Sequence, residues 1–364
     1  SLALRQSQLR RPAVTEPVLM RGNEAIAEAA IIAGCRYYFA YPITPQNEIA
    51  AYMARRMPEV GGTFLQAESE IASINMVFGA AAAGGRAMTS SSSPGISLKQ
   101  EGLSYMAGTE LPGVVVNMMR GGPGLGNIAG AQGDYFQATK GGGHGDYHMI
   151  VLAPASGQEL ADLTVDAFDL SDEYRIVTMI LGDGYLGQMS ESLTLPEASK
   201  KVYDKSSWIL DGAAGRQPRK IASLRLKPED GVEQINLRLQ EKYRKIEAQE
   251  VRFECYHCKD AEVLLVAFGL AARVCKAAVN QLRAEGSKVG LFRPITLWPF
   301  PYQELEKRAV RMKKVLVVEM NSGQMLEDVR LALGDKVKIE FYGRMGAMLV
   351  ETEEIMKRIK NHEK

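Results

Sequence analysis

The run Gly113-Val-Val-Val-Asn-Met-Met-Arg120-Gly-Gly-Pro-Gly-Leu-Gly126 already argues for a parallel sheet. Gly113 to Met118 is apolar and rich in β-branched residues, the pattern of a strand covered on both faces. The run then breaks into glycine and proline. An open α/β sheet binds its ligands outside the carboxyl ends of its strands, so a strand that feeds a glycine-rich turn marks a candidate site.

Working outward, strand and helix alternate on both sides. Upstream, Asn23 predicts an N-cap for a helix through Ala33, with Gly34 as its stop. Cys35 to Phe39 reads as a strand ending in Tyr41-Pro-Ile-Thr-Pro45, whose prolines delay the next helix until about Gln46. Thr63 to Leu65, Arg86 to Thr89 and the helices Glu68–Gly84 and Gly95–Gly108 continue the series. Downstream, strands near Met149–Leu152 and Ile176–Leu181 flank a helix near Gly157–Leu170. Residues 17–186 therefore form a doubly wound α/β domain. Residues 1–16 read as a tail, disordered or docked on a neighbour. From 187 to 255 the pattern gives way to a polar crossover or linker with one amphipathic helix, Pro228 to about Gln249. A second, smaller α/β domain occupies 256–364, with strands at Val263–Phe268, Val289–Arg293, Val315–Glu319 and Val337–Phe341. No internal repeat is apparent.

Bulk properties narrow the function. The 364 residues carry 44 basic and 43 acidic side chains, a net charge of +1, which gives no electrostatic reason to expect nucleic acid or an anionic membrane. No apolar run approaches the length of a membrane span, and the basic first residues lack the apolar core of a secretory signal. Four cysteines in a chain this long are no disulfide framework, so a reducing cytoplasm is the expected setting. Cys255-Tyr-His-Cys258 is a single C-x-x-C without a second ligand pair. It reads as structural rather than as a metal site, and no metal is expected.

Four segments fall at predicted strand ends: Tyr41–Pro45, Glu68–Glu70, Ser90–Gly95 and Arg120–Gly126. If their strands are neighbours, they line one crevice. Each also has an ordinary reading. Arg120–Gly126 is either a flexible turn or a backbone cradle in which Arg120 grips a carboxylate. Glu70 and Glu68 are equally placed to compensate the dipole of the helix they open. Gly182-Asp-Gly184 resembles the start of a thiamine-diphosphate magnesium motif, but the stretch Ile209–Gly215 lacks the Asn that would complete it, leaving a strand-end turn. His144, among glycines in Gly141–Asp146, either meets a ligand or satisfies its own loop.

Taken together, Gly22-Asn-Glu-Ala25, Tyr41-Pro-Ile-Thr-Pro45, Ser69-Glu-Ile71, Thr89-Ser-Ser-Ser-Ser-Pro-Gly95, Met119-Arg-Gly-Gly-Pro-Gly-Leu-Gly126, Gly143-His-Gly145 and Val318-Glu-Met-Asn-Ser-Gly-Gln-Met325 resemble the alpha-type, pyrimidine-binding subunit of 2-oxoacid:ferredoxin oxidoreductases. Ser90–Gly102 and Gly141–Asp146 look most like the 3-methyl-2-oxobutanoate (branched-chain) type, with the 2-oxoglutarate type next. The resemblance implies a pyrimidine-binding domain followed by a transketolase C-terminal-like domain. It implies CoA-dependent oxidative decarboxylation of a 2-oxoacid to acyl-CoA and carbon dioxide, with electrons passing to ferredoxin. Thiamine diphosphate would be held here by its pyrimidine end. A beta-type subunit would hold the diphosphate and Mg2+, a ferredoxin-like subunit the [4Fe-4S] clusters, and a gamma-type subunit would complete the hetero-oligomer. Glu70, preferred to Glu68 because it aligns with the Ser-Glu step, matches the glutamate that meets the aminopyrimidine ring nitrogen. Thr44 matches a cofactor- or substrate-contacting threonine, and Arg120 an arginine that holds the substrate carboxylate. Pro42, Ser92 and Gly95 would line the cofactor, and His144 the substrate. Two other readings compete: a non-catalytic structural partner, and a stand-alone transketolase-type enzyme, which the length and the missing magnesium motif disfavour.

Overall fold

The computed structural model describes residues 16–213, 215–226 and 231–360. The expected tail over residues 1–16 lies, apart from Glu16, outside the described residues, as does Pro228 at the expected start of the linker helix.

The first half runs β1 (Val18–Arg21), α1 (Gly22–Ile32), β2 (Tyr37–Ala40), α2 (Asn47–Glu59), β3 (Thr63–Gln66), α3 (Glu70–Ala82), β4 (Ala87–Ser91) and α4 (Pro94–Gly108). It continues with β5 (Gly113–Gly121), β6 (Asn127–Gly130), α5 (Tyr135–Thr139), β7 (Ile150–Leu152), α6 (Gly157–Tyr174), β8 (Val177–Asp183), α7 (Gly184–Gln188) and β9 (Ser190–Leu193). The strands from β7 to β3 stand in the order β7-β8-β5-β4-β2-β3, all parallel. β5 is central and buried along its whole length, as its β-branched composition predicts.

One local expectation fails. Asn23 does not cap α1; the helix starts at Gly22, because pairing of β1 with β9 carries an extended chain as far as Arg21. Gly22 is needed there, since a Cβ would lie 2.2 Å from the Leu186 carbonyl oxygen. Asn23 is buried inside the helix instead, and its amide donates to the Pro45 carbonyl and to Glu48 Oε2, both at 2.8 Å. Gly34 does end the turn after α1, at φ +87°.

Among the described residues, no regular element follows β9 until α8 (Val232–Gln249), whose apolar stripe Ile235, Leu239, Tyr243 and Ile246 is buried. Then come β10 (Phe253–Tyr256), β11 (Val263–Val266), α9 (Gly269–Ala284), β12 (Val289–Pro294), β13 (Thr296–Trp298), α10 (Tyr302–Ala309), β14 (Lys314–Glu319), α11 (Met325–Leu333), β15 (Lys338–Gly343) and α12 (Thr352–Lys360). The second sheet has the order β10-β12-β11-β14-β15, with β10 antiparallel. β13 leaves this sheet and pairs antiparallel with β7, capping the edge of the first. The architecture is thus two parallel α/β sheets joined through a shared strand crossing.

The sheets also meet along a hydrogen-bonded seam. Gln132 donates to the Phe268 carbonyl (2.8 Å), and its side-chain oxygen accepts from the Met320 amide (3.0 Å). Its own carbonyl accepts from Asn321 (2.8 Å). Asp328 accepts from Tyr135 (2.6 Å), Tyr302 and Lys140. Glu319, wholly buried, caps α11 by accepting from the Met325 and Leu326 amides. The Val318–Met325 segment is therefore the second sheet's side of this seam.

Candidate active site

Sheet order answers the question that the strand ends posed. β3, β2, β4 and β5 are consecutive neighbours, so the turns that follow them open on one edge of the sheet. The contacts tie these turns together.

Glu70 is the first residue of α3, and Ser69 caps the helix by accepting from the Ala72 amide at 3.1 Å. Cap and helix start point the two candidate carboxylates apart: Glu68 is exposed and Glu70 is 7% exposed. The Glu70 carboxylate faces Gly95 at the start of α4. A Cβ on Gly95 would sit 2.8 Å from Glu70 Oε1 and 2.0 Å from Ser91 Oγ, so only glycine lets α4 start this close to both side chains. Among the described residues no hydrogen bond reaches the Glu70 carboxylate oxygens. Ser93, just before α4, is held at φ +23°. Its hydroxyl donates to Asp134 (2.6 Å) and accepts from the Arg120 amide (3.0 Å), while Asn117 also donates to Asp134 (2.9 Å). Burial pushes the Asp134 carboxyl upward, against those hydrogen bonds.

Arg120 is 5% exposed and is already engaged. Its two terminal nitrogens donate to the Thr44 carbonyl (2.9 Å) and the Leu125 carbonyl (2.8 Å). It braces the Tyr41–Pro45 turn against the Arg120–Gly126 turn, rather than presenting an open fork. That second turn is the tip of a hairpin, for β6 runs back antiparallel to β5. Gly126, at φ +64°, closes it; a Cβ there would overlap the Gly121 carbonyl at 1.8 Å.

The other expected residues spread around this centre. Thr44 is partly exposed, its hydroxyl accepting from Asn47 at 3.2 Å. Pro42 is exposed on the same turn, and Ser92 is fully buried. His144 is exposed on a loop whose backbone packs farther along α4, where Ser104 donates to its carbonyl at 2.7 Å. Ser104 lies nine residues beyond Gly95, a rise of about 13 Å. Asp183 caps α7 by accepting from the Tyr185 and Leu186 amides, and burial lifts its carboxyl to about 6. No group of three or more His, Cys, Asp or Glu side chains placed to share a metal occurs among the described residues. No helix among them is long and apolar enough to cross a membrane.

Two features were missed in the sequence. Lys99 lies one helical turn beyond Gly95, with no exposure; its ammonium donates to the Glu70 carbonyl at 3.3 Å and to the Ser73 hydroxyl. Burial lowers it to about 7, against the pull of Glu70. Its i+4 spacing from Gly95 was the available signal. Beneath the crevice, Tyr38, Ser90 and Gln46 form a buried chain, with Tyr38 and Ser90 2.6 Å apart.

The crevice is also polar and incomplete. Ser91 Oγ, Ser92 Oγ, Gln46 Nε2 and Arg120 Nε are buried with no hydrogen-bond partner among the described residues. Native interiors rarely tolerate such atoms, so their concentration at one edge suits a bound polar ligand. A buried carboxylate without a partner is the acceptor that a protonated heteroaromatic nitrogen needs.

Comparison with known proteins agrees. Residues 28–250 match the family model "Pyruvate flavodoxin/ferredoxin oxidoreductase, thiamine diP-bdg", and residues 261–355 match "Pyruvate:ferredoxin oxidoreductase core domain II". The chain belongs to the pyruvate flavodoxin/ferredoxin oxidoreductase family, the thiamine-diphosphate-dependent 2-oxoacid:ferredoxin oxidoreductases. Within that family it is similar to the ketoisovalerate oxidoreductase subunit VorB of Methanothermobacter marburgensis, at 51% identity over 94% of this chain and 97% of the relative. The 2-oxoglutarate synthase subunit KorA of Methanothermobacter thermautotrophicus is 35% identical over 95% of this chain and 99% of its own. A solved 2-oxoglutarate:ferredoxin oxidoreductase from Magnetococcus marinus, with 2-oxoglutarate, coenzyme A and succinyl-CoA bound, superposes with a TM-score of 0.86. It is 29% identical, and the match covers 100% of this chain and 69% of that one. A split-gene transketolase (TM-score 0.59, 13% identity, covering 94% of this chain and 97% of that one) shares the fold alone. The resemblance read from the seven segments, and the transketolase-like fold it implied, hold.

Proposed function

We propose that this chain supplies the pyrimidine-side half of the active site of a branched-chain 2-oxoacid:ferredoxin oxidoreductase. The observation that carries the reading is the Glu70 carboxylate, on a buried residue, without a hydrogen bond from the described residues, set against the start of α4 at Gly95. When bound, thiamine diphosphate supplies the electron sink for cleaving the 2-oxoacid carbon–carbon bond. Glu70 accepts a hydrogen bond from the aminopyrimidine ring nitrogen and so holds a proton at that atom. Ser92 and Gly95, with Thr44 and Pro42 of the neighbouring turn, would hold the pyrimidine end. Lys99 fixes the first turn of α3 and with it the angle of the Glu70 side chain. Arg120 keeps the two turns in register, and its unpaired Nε–H is the group left to meet the substrate carboxylate. His144 belongs to the outer wall, toward the substrate's far end.

The remainder of the site belongs to other subunits. The turns and helix starts around the crevice expose Tyr41, Leu65, Ile71, Leu98, Leu125 and Ile128. Apolar exposure clustered there suits a docked protein surface rather than solvent. A beta-type subunit on this face would bring the diphosphate and Mg2+ ligands, and gamma-type and ferredoxin-like iron–sulfur subunits would complete the path of electrons to ferredoxin. Coenzyme A takes the acyl group. The branched-chain assignment rests on the higher identity to the ketoisovalerate relative than to the 2-oxoglutarate relatives.

The test is coenzyme A-dependent viologen reduction by the native complex across a panel of 2-oxoacids. 3-Methyl-2-oxobutanoate should give the highest kcat/KM. A preference for 2-oxoglutarate would transfer the chain to the neighbouring specificity. A complex that lacks both a diphosphate-binding and a cysteine-rich subunit would overturn the shared-site reading.

A further inference from the structure

One motif is left unused by this chemistry. Cys255-Tyr-His-Cys258 leaves the edge strand β10 into a turn where His257 takes φ +55°. The turn forms one wall of a 660 Å³ pocket, with Glu304, Lys307, Arg308 and Arg311 opposite. The two sulfurs differ sharply. Cys255 is exposed, whereas Cys258 is buried and donates to the Leu291 carbonyl at 3.2 Å. Both side chains line this pocket. The neighbouring Cys258 thiol, helped by the Arg308 guanidinium and opposed by burial and Glu304, lowers the Cys255 thiol to about 7. The same partnership and burial push Cys258 upward. His257, Lys259 and Asp260 from the turn complete the charged groups around the pair, and Asp260 is taken up by Arg283.

An exposed, acidic first thiol followed by a buried, less acidic second one is the division of labour that thiol–disulfide exchange requires. We propose that Cys255 and Cys258 form a reversible dithiol–disulfide couple, with Cys255 as nucleophile and Cys258 as resolving thiol, that exchanges with anionic disulfides entering the basic pocket. The Cys255 thiolate attacks one sulfur of the incoming disulfide; that S–S bond breaks, and the first thiolate leaves. Cys258 then loses its proton and attacks Cys255 sulfur, forming the internal S–S bond and expelling the second thiolate. Two electrons pass from the pair to the reagent. Cys35 and Cys275 are buried and take no part.

The probe is 5,5′-dithiobis(2-nitrobenzoate), a dianionic disulfide, applied anaerobically to the native complex, with this chain read by mass spectrometry. The wild-type chain should lose two hydrogens, keep no adduct, and return to its starting mass with dithiothreitol. Cys258→Ser should instead retain one thionitrobenzoate on Cys255. Arg308→Gln should slow the first step about threefold at pH 7, because a smaller thiolate fraction is only partly offset by higher nucleophilicity. An adduct that persists on wild-type Cys255, or a Cys255 that stays unmodified, would overturn the couple.

Discussion

The crevice and the seam are made of similar residues and are finished differently. Along the seam Gln132, Asn321, Asp328 and Glu319 find their partners within the chain, several of them twice over. At the crevice, Ser91, Ser92, Gln46 and Arg120 keep buried polar atoms without partners among the described residues, and the Glu70 carboxylate lies against Gly95 with none either. Unmet buried hydrogen-bonding groups cost free energy, so a fold retains a cluster of them only where something else completes them. The seam holds the sheets together; the crevice waits for a ligand.

Substitutions can break that contrast from either side. Glu70→Gln should leave assembly intact and cut turnover about 10²–10⁴-fold, the range for a lost acid–base partner. Steady-state viologen reduction checks it, and unchanged turnover removes Glu70 from the mechanism. At the seam, Asp328→Ala strips Tyr135, Tyr302 and Lys140 of their common acceptor. It should cost about 3 kcal/mol of stability, read by denaturant unfolding, with less effect on turnover per folded molecule. Arg120→Lys cannot serve the Thr44 and Leu125 carbonyls together, because one ammonium lacks the guanidinium fork. The KM for 2-oxoacid should rise about tenfold, roughly 1.4 kcal/mol, while kcat changes less; a fall in kcat alone would move Arg120 from binding to chemistry.

The smallest effect is one of pH. Burial lifts Glu319 from its ordinary 4.5 to about 7, so between these values the folded chain binds more protons than the unfolded one. The contribution of this group therefore makes stability fall as pH rises from about 4.5 to 7. Glu319→Gln should flatten that slope in unfolding curves measured at several pH values. A slope unchanged by the substitution would show that the capped carboxylate is already ionised.

The sequence by itself determined the class of fold and the four strand-end turns that the sheet brings to one edge. Period and composition carry that much, because a buried parallel strand such as Gly113–Met118 has to be apolar and its turn has to break. Seven ordered segments were enough to find the family. The short elements β6, α5, α7, β9 and β13 were not legible, since a few residues hold no periodicity and owe their form to the neighbours they pair with. Asn23 was misread for the same reason: its amide is claimed by Pro45 and Glu48, distant in the chain. The resemblance preferred Glu70 to Glu68, but only the tertiary structure gives the physical difference, since burial is a property of packing and both stand at one helix start. It also turned Arg120 from an open fork into a brace and set Lys99 beneath Glu70. These are contacts between strand ends brought together by sheet order, and sheet order is settled by long-range pairing that no local pattern encodes.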